Sequence, residues 1–142
     1  MDVFQLPFNR FIGLQASDRQ EYLMMLPTGE QYGNHLGTAH ASALFALAEA
    51  TGGLFLLREF EGVENVMPVV RNVGVKYKKP ASGPVFSKAK LMSEKNAVLE
   101  SLATKKRTLV SIQVTLHDVD GLLLVQSTFE WFVFVIDQEE RS

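Results

Sequence analysis

The stretch from Leu36 to Leu57 is the most apolar in this chain, and it constrains the fold more than any other feature. Its alanine and leucine content favours helix over strand, although Gly52 and Gly53 weaken the pattern near its end. At about 1.5 Å per residue, such a helix reaches the thickness of a bilayer core. His40, Glu49 and the lack of a positive flank on either side argue against a membrane span. In a soluble protein, a helix that is apolar all round is enclosed on most sides, and a curved sheet is the natural enclosure for a single one.

The rest of the chain supplies strands for that enclosure. Residues 69–78 are rich in valine and alternate so that Val69, Arg71, Val73, Val75 and Tyr77 share one side. Pro80 and Gly83-Pro84 then mark a turn. Residues 85–92 set Phe86, Lys88, Lys90 and Met92 opposite Val85, Ser87, Ala89 and Leu91, the pattern of a half-buried antiparallel strand. A strand from Thr108 to His117 points Val110, Ile112, Val114 and Leu116 inward. Asp118 to Gly121 reads as a hairpin turn, and the chain returns from Leu122 to Ile136. Between these strands, residues 94–104 have helical spacing after a candidate cap at Ser93. At the start, Phe11–Ala16 and Glu21–Leu26 read as a hairpin through Ser17–Gln20, preceded by a helical turn. Hairpin, long helix, then about four strands is an α+β order, with the elements segregated rather than alternating.

Length and charge narrow the function. The 142 residues, 46% of them hydrophobic, suit one domain over 1–142, with 137–142 as a polar tail. With no cysteine, disulfides, thiolate metal sites and a cysteine nucleophile are excluded. The amino terminus has neither the basic start nor the apolar run of a signal peptide, so the expected location is cytoplasmic. A net charge of −2 speaks against nucleic acid as a partner. Charge is nevertheless uneven: ten Lys or Arg against Glu94 and Glu100 lie between Arg71 and Arg107, enough to meet an anionic ligand.

Candidate chemistry lies between Asn34 and Glu49. The first amides of a helix lack partners and sit at the positive end of its dipole, so a carbonyl oxygen gaining negative charge is stabilised there. Ala41 is placed to present such an amide, with Thr38 as a candidate N-cap competing for a donor. Glu49 is the only ionisable side chain between His40 and Arg58, so it should be paired, raised in pKa or facing a water-filled site. Ala41 and Glu49 stand about 12 Å apart along the helix axis, too far to act on one carbonyl within a single chain. In a two-fold dimer with antiparallel helices, Glu49 of one protomer approaches Ala41 of the other, and symmetry makes two such sites. His35 and His40 have no third ligand nearby, so neither a metal nor a cofactor is expected.

The run Asn34-x-x-Gly37-Thr38-x-His40-Ala41, with Glu49 eight positions on, resembles the signature of the hot-dog thioesterases of the phenylacetate-pathway type. The strand ending in Tyr77-Lys78-Lys79-Pro80-Ala81 is similar to that family's strand ending in Tyr-x-x-Pro-Ala. The resemblance covers about residues 8–136. It implies a hot-dog fold, a long central helix wrapped by a curved antiparallel sheet of about five or six strands. It also implies hydrolysis of an acyl-CoA-like thioester by a homodimer, with pairing of dimers into tetramers left open. Carried over by position, Asn34 matches the residue that holds the thioester or the attacking water. Ala41 matches the oxyanion-hole position, normally glycine, and Glu49 the carboxylate that acts as base or nucleophile. His40 matches a histidine common there, read here mainly as structural. Where the family often has His-Gly-Gly, this chain has His40-Ala41-Ser42, which borders the acyl space with a methyl and a hydroxymethyl group. Lys78 and Lys79 are candidates for coenzyme A phosphates, and Arg71, interrupting an apolar strand, must find an anion or water. The competing reading is a non-catalytic module that binds acyl chains or acyl-CoA.

Overall fold

In the computed structural model, which describes residues 1–137, the apolar stretch forms helix α2, Ala41–Glu59. It lies against a six-stranded antiparallel sheet built from β1 (Gln15–Ala16), β2 (Met24–Leu26), β3 (Val66–Tyr77), β4 (Val85–Leu91), β5 (Arg107–His117) and β6 (Leu123–Val135). The spatial order is β1-β2-β4-β5-β6-β3, with every neighbouring pair antiparallel. Two short helices, α1 (Pro7–Ile12) and α3 (Lys95–Lys105), and two 3-10 turns, an amino-terminal one at Val3–Gln5 and a second at Glu30–Tyr32, complete the described elements. A long helix wrapped by a curved antiparallel sheet is the hot-dog fold. The tail read at 137–142 lies, past Asp137, outside the described residues.

Burial explains why α2 sits where it does. Leu47 and Leu56 are completely buried, and Leu44, Ala48 and Leu54 nearly so. Each buried leucine contributes roughly 1.5–3 kcal/mol relative to exposure. By length and composition α2 passes as a membrane span, but 61% of that window is buried inside the fold. Opposing it are Val110, Ile112, Val114 and Leu116 of β5, all at 0% exposure, in the alternation that the sequence predicts. From β6, the Phe129 ring packs on Phe45 of α2, with centroids 5.6 Å apart, and Trp131 packs beside Gly52 and Gly53. A Cβ at Gly52 would stand 3.2 Å from the indole of Trp131, so glycine here lets helix and sheet approach closely.

One buried polar cluster ties helix to sheet. Thr51 Oγ1 lies 2.7 Å from the Leu47 carbonyl and 2.6 Å from Ser87 Oγ of β4. Ser87 Oγ in turn accepts the Met24 N–H and reaches the Met24 carbonyl, both at 3.2 Å. At the far end, Lys95 of α3 pairs with Glu59 of α2 at 3.1 Å; with both side chains part-exposed, this pair adds little.

Several local expectations are corrected. The first strands are shorter than read, and Phe11 and Ile12 belong to α1, which Pro7 starts at its first position. The N-cap of α2 is His40, not Thr38: His40 Nδ1 accepts the Ser42 N–H. The N-cap of α3 is Glu94, whose carboxylate accepts from Asn96 and Ala97, while Ser93 Oγ is taken by the Ser111 N–H of β5. In β3, the register shifts between Val70 and Asn72, a bulge centred on Arg71. Val69 therefore pairs with Phe132 on the outer face, whereas Val73, Val75 and Tyr77 stay on the inner one.

Ser87→Ala tests the polar tie. It removes the partner of the buried Met24 N–H, and chemical denaturation should show a loss of about 1–3 kcal/mol.

Candidate functional site

The amino end of α2 is built by a tight loop. Gly37 adopts φ +77, and Asn34 bridges the turn by accepting the N–H groups of Leu36 at 2.9 Å and Thr38 at 3.0 Å. Its Nδ2 donates to Thr38 Oγ1 at 2.8 Å. The loop is anchored where His40 N–H donates to Tyr32 O at 2.6 Å and Ala39 N–H to Ala81 O at 2.9 Å. Both anchors fix where the helix begins.

Of the first four amides of α2, three are occupied. Ser42 N–H goes to His40 Nδ1, and the Ala43 and Leu44 N–H groups go to His40 O at 3.0 and 3.1 Å. Ala41 N–H has no partner among the described residues. Ala41 lines a recess of about 250 Å³ together with Asn34, Leu44, Tyr77, Lys78 and Lys79. The structure thus brings Asn34 and Ala41 together with Lys78 and Lys79, which lie 37 or more positions further along the chain. The lysines are placed by backbone bonds from both of their N–H groups to Leu124 O, at 2.8 and 3.1 Å. Partial burial raises the pKa of the half-exposed Tyr77 phenol.

Glu49 stands apart from this group. Two turns further along α2, it lines a second recess of about 480 Å³ with Ala46, Ala50, Gly53, Trp131 and the edge strand residues Pro68, Val69 and Val70. The side chain is exposed, yet the apolar walls beside it desolvate part of its carboxyl and raise its pKa above the ordinary 4.5. No salt bridge to Glu49 is formed among the described residues, so desolvation acts without an offsetting cation. His40 and Ser42 are exposed, the former committed through Nδ1 to capping. Arg71 projects from the bulge into solvent, away from both recesses. The sequence reading missed Asn9, Trp131 and Val70 as walls of the Glu49 recess. Leu6-Pro7, a helix-start signal, was the available clue that the amino terminus folds back as structure.

Comparisons agree with this architecture. Residues 8–133 match the family model of a domain of unknown function, DUF4442, and the chain belongs to that family. No curated protein matches the sequence. A Pseudomonas aeruginosa protein of unknown function, described as a probable thioesterase, is similar in structure: TM-score 0.77, 25% identity, covering 93% of this chain and 90% of that one. A Haemophilus influenzae thioesterase superposes with TM-score 0.73 at 15% identity, over 96% of this chain and 89% of its own. A Bacillus halodurans protein crystallised with CoA gives TM-score 0.70 at 17% identity, over 89% and 75%. At these identities the last two speak for the fold alone, which is the hot-dog fold.

The raised pKa of Glu49 makes a stability prediction. Its protonated form is favoured in the folded state, so its contribution is fully present below the unfolded carboxyl value. That contribution is lost as pH rises through the higher folded one. Glu49→Gln should therefore raise Tm over wild type at pH 8, with the gap closing in acid. An unchanged or lower Tm at pH 8 contradicts a desolvated carboxylate.

Proposed function

We propose that the chain hydrolyses an acyl-CoA-like thioester at sites shared by two copies of itself, acting in the cytoplasm as a homodimer. The observation that carries this reading is the unpartnered Ala41 N–H at the positive end of α2, beside Asn34 and two lysines, on the same helix as a partly desolvated carboxylate. These two halves are about 12 Å apart along the axis of one helix, and a two-fold dimer brings Glu49 of one protomer to Ala41 of the other. The sheet offers the contact. Its β1 edge is two residues long, whereas the β3 edge runs for 12, is regular beyond the bulge from Asn72 to Tyr77, and forms one wall of the Glu49 recess.

In this arrangement the thioester oxygen accepts the Ala41 N–H, where developing negative charge is stabilised by the helix end. Glu49 takes a proton from water as it attacks the carbonyl carbon. Alternatively, Glu49 attacks directly, forming an anhydride that water opens. In either case the C–S bond breaks and the thiolate leaves with a proton. A raised pKa makes Glu49 a better base, and hydrolysis should increase with pH through that value. Lys78 and Lys79 face the same recess as Ala41 and suit the phosphates of coenzyme A; the CoA-bound Bacillus halodurans relative supports that substrate class. The motif from Asn34 to His40 favours the phenylacetate-pathway type within this group.

One observation favours a second reading, an acyl-CoA binding module without turnover. The Asn34 amide is fully engaged in its own loop, and Ala41 puts a methyl where the family usually has none. CoA release from acyl-CoA substrates, followed by a thiol reagent, separates the two.

Under the hydrolysis reading, Glu49→Ala abolishes CoA release and leaves the dimer intact by light scattering; full activity in that variant removes Glu49 from the mechanism. Ala41→Pro deletes the amide at a position that tolerates proline, since His40 already has φ −63 and ψ 140. It should lower kcat by about 10²–10³. Mixed dimers of the two variants have one intact site each, so co-refolding two inactive proteins should restore activity. Failure of that complementation, with mixed dimers present, rules out a site shared across subunits.

A further inference from the structure

The recess beside Glu49 is an open chamber bounded on three sides. Ala50 and Gly53 of α2 form one side, Trp131 and Val70 of the sheet a second, and Leu6 of the amino-terminal turn a third. That third wall is held in place by a buried contact. Asn9, 9% exposed, donates from Nδ2 to Val3 O at 2.9 Å, and Val3 is itself buried at 4%. Asp2 caps the turn by accepting the Phe4 N–H at 3.0 Å. The chamber measures about 480 Å³, within the roughly 300–1,000 Å³ of small-molecule pockets. Apart from Glu49 and Asn9 its lining side chains are apolar and include no lysine, arginine or histidine; Met1, whose amino group is charged, also borders it.

We infer that this chamber receives the acyl group, and that it selects neutral apolar acyl chains over those ending in a carboxylate. Ala50 and Gly53 set its depth, and the amino-terminal turn forms its wall. The inference rests on the hydrolysis reading for the position of the thioester, because only Glu49 at the chamber joins the acyl group to the reacting carbon. Two physical terms give the selectivity. Each methylene moved from water into the chamber improves binding about fourfold. A terminal carboxylate would lie against apolar side chains and beside a second carboxylate, Glu49.

The test compares kcat/KM for acetyl-, hexanoyl-, decanoyl- and adipoyl-CoA in wild type, Gly53→Ala and Ala50→Leu. A Cβ at Gly53 would meet Trp131 at 3.5 Å, ordinary contact, so Gly53→Ala should fold even if the bulkier Ala50→Leu does not. Hexanoyl-CoA should exceed adipoyl-CoA, of equal length, by at least about tenfold. Gly53→Ala should cost decanoyl-CoA about fourfold more than acetyl-CoA, the equivalent of one displaced methylene, and Ala50→Leu should cost it more. Equal use of adipoyl- and hexanoyl-CoA, or losses independent of chain length in a folded Gly53→Ala dimer, overturns the chamber. If wild type releases no CoA from any substrate, hydrolysis fails, and calorimetry still decides the chamber. Decanoyl-CoA binding tighter than CoA itself, with the advantage reduced in Gly53→Ala, upholds it; equal affinities overturn it.

Discussion

The enclosure of α2 is the constraint on which the rest of this structure depends. A 19-residue helix with leucines and alanines on nearly every face must be covered nearly all round, and one sheet does this only by curving about it. Close approach then becomes the limiting condition. Gly52 meets it by yielding space to the Trp131 indole, and Thr51 by linking through Ser87 to the backbone of β2. In such an interior an ionised group is tolerated only where the wrapping stops. Glu49 stands at that place, exposed beside the edge strand β3, and partial desolvation there raises its pKa.

The same helix carries the two halves of the proposed chemistry, and its own geometry keeps them apart. The amide that lacks a partner belongs to the first turn, because His40 supplies both a side-chain and a backbone acceptor to the amides after it. The carboxylate lies two turns on, too distant to share one carbonyl. Separation along one helix, together with a long edge strand, makes the second copy chemically useful. The chamber beside Glu49 extends this logic: the amino-terminal turn, pinned by Asn9, supplies the wall that neither helix nor sheet provides.

Much of this was legible in the sequence. The inward alternation of Val110, Ile112, Val114 and Leu116, the division of β4 into a lysine-bearing face and an inner face, and the hairpin at Asp118–Gly121 all appear as read. They are periodic patterns, and one buried face of a strand needs nothing beyond its own residues to declare itself. The long helix was equally plain, with its start displaced from Leu36 to Ala41 because Gly37 and the Asn34 loop take up the intervening residues. Of the site, Asn34, Ala41, Lys78 and Lys79 meet as a group, while Arg71 points away and His40 serves as a cap.

By itself, then, the sequence determined the apolar helix, its lone carboxylate, the strands and their faces, because each follows from the spacing of side chains along one segment. Only the tertiary structure decided which groups win a competition in space. His40 rather than Thr38 caps α2 because the Asn34 loop, which also holds the Thr38 hydroxyl, delays the first helical residue to Ala41. Glu94 rather than Ser93 caps α3 because Ser93 is claimed by a strand 18 residues away. The bulge that turns Val69 outward arises in pairing with β6, and Asn9 becomes a wall only once the amino terminus folds back on α2. Such outcomes depend on donors and acceptors from distant segments arriving together, which no local pattern encodes.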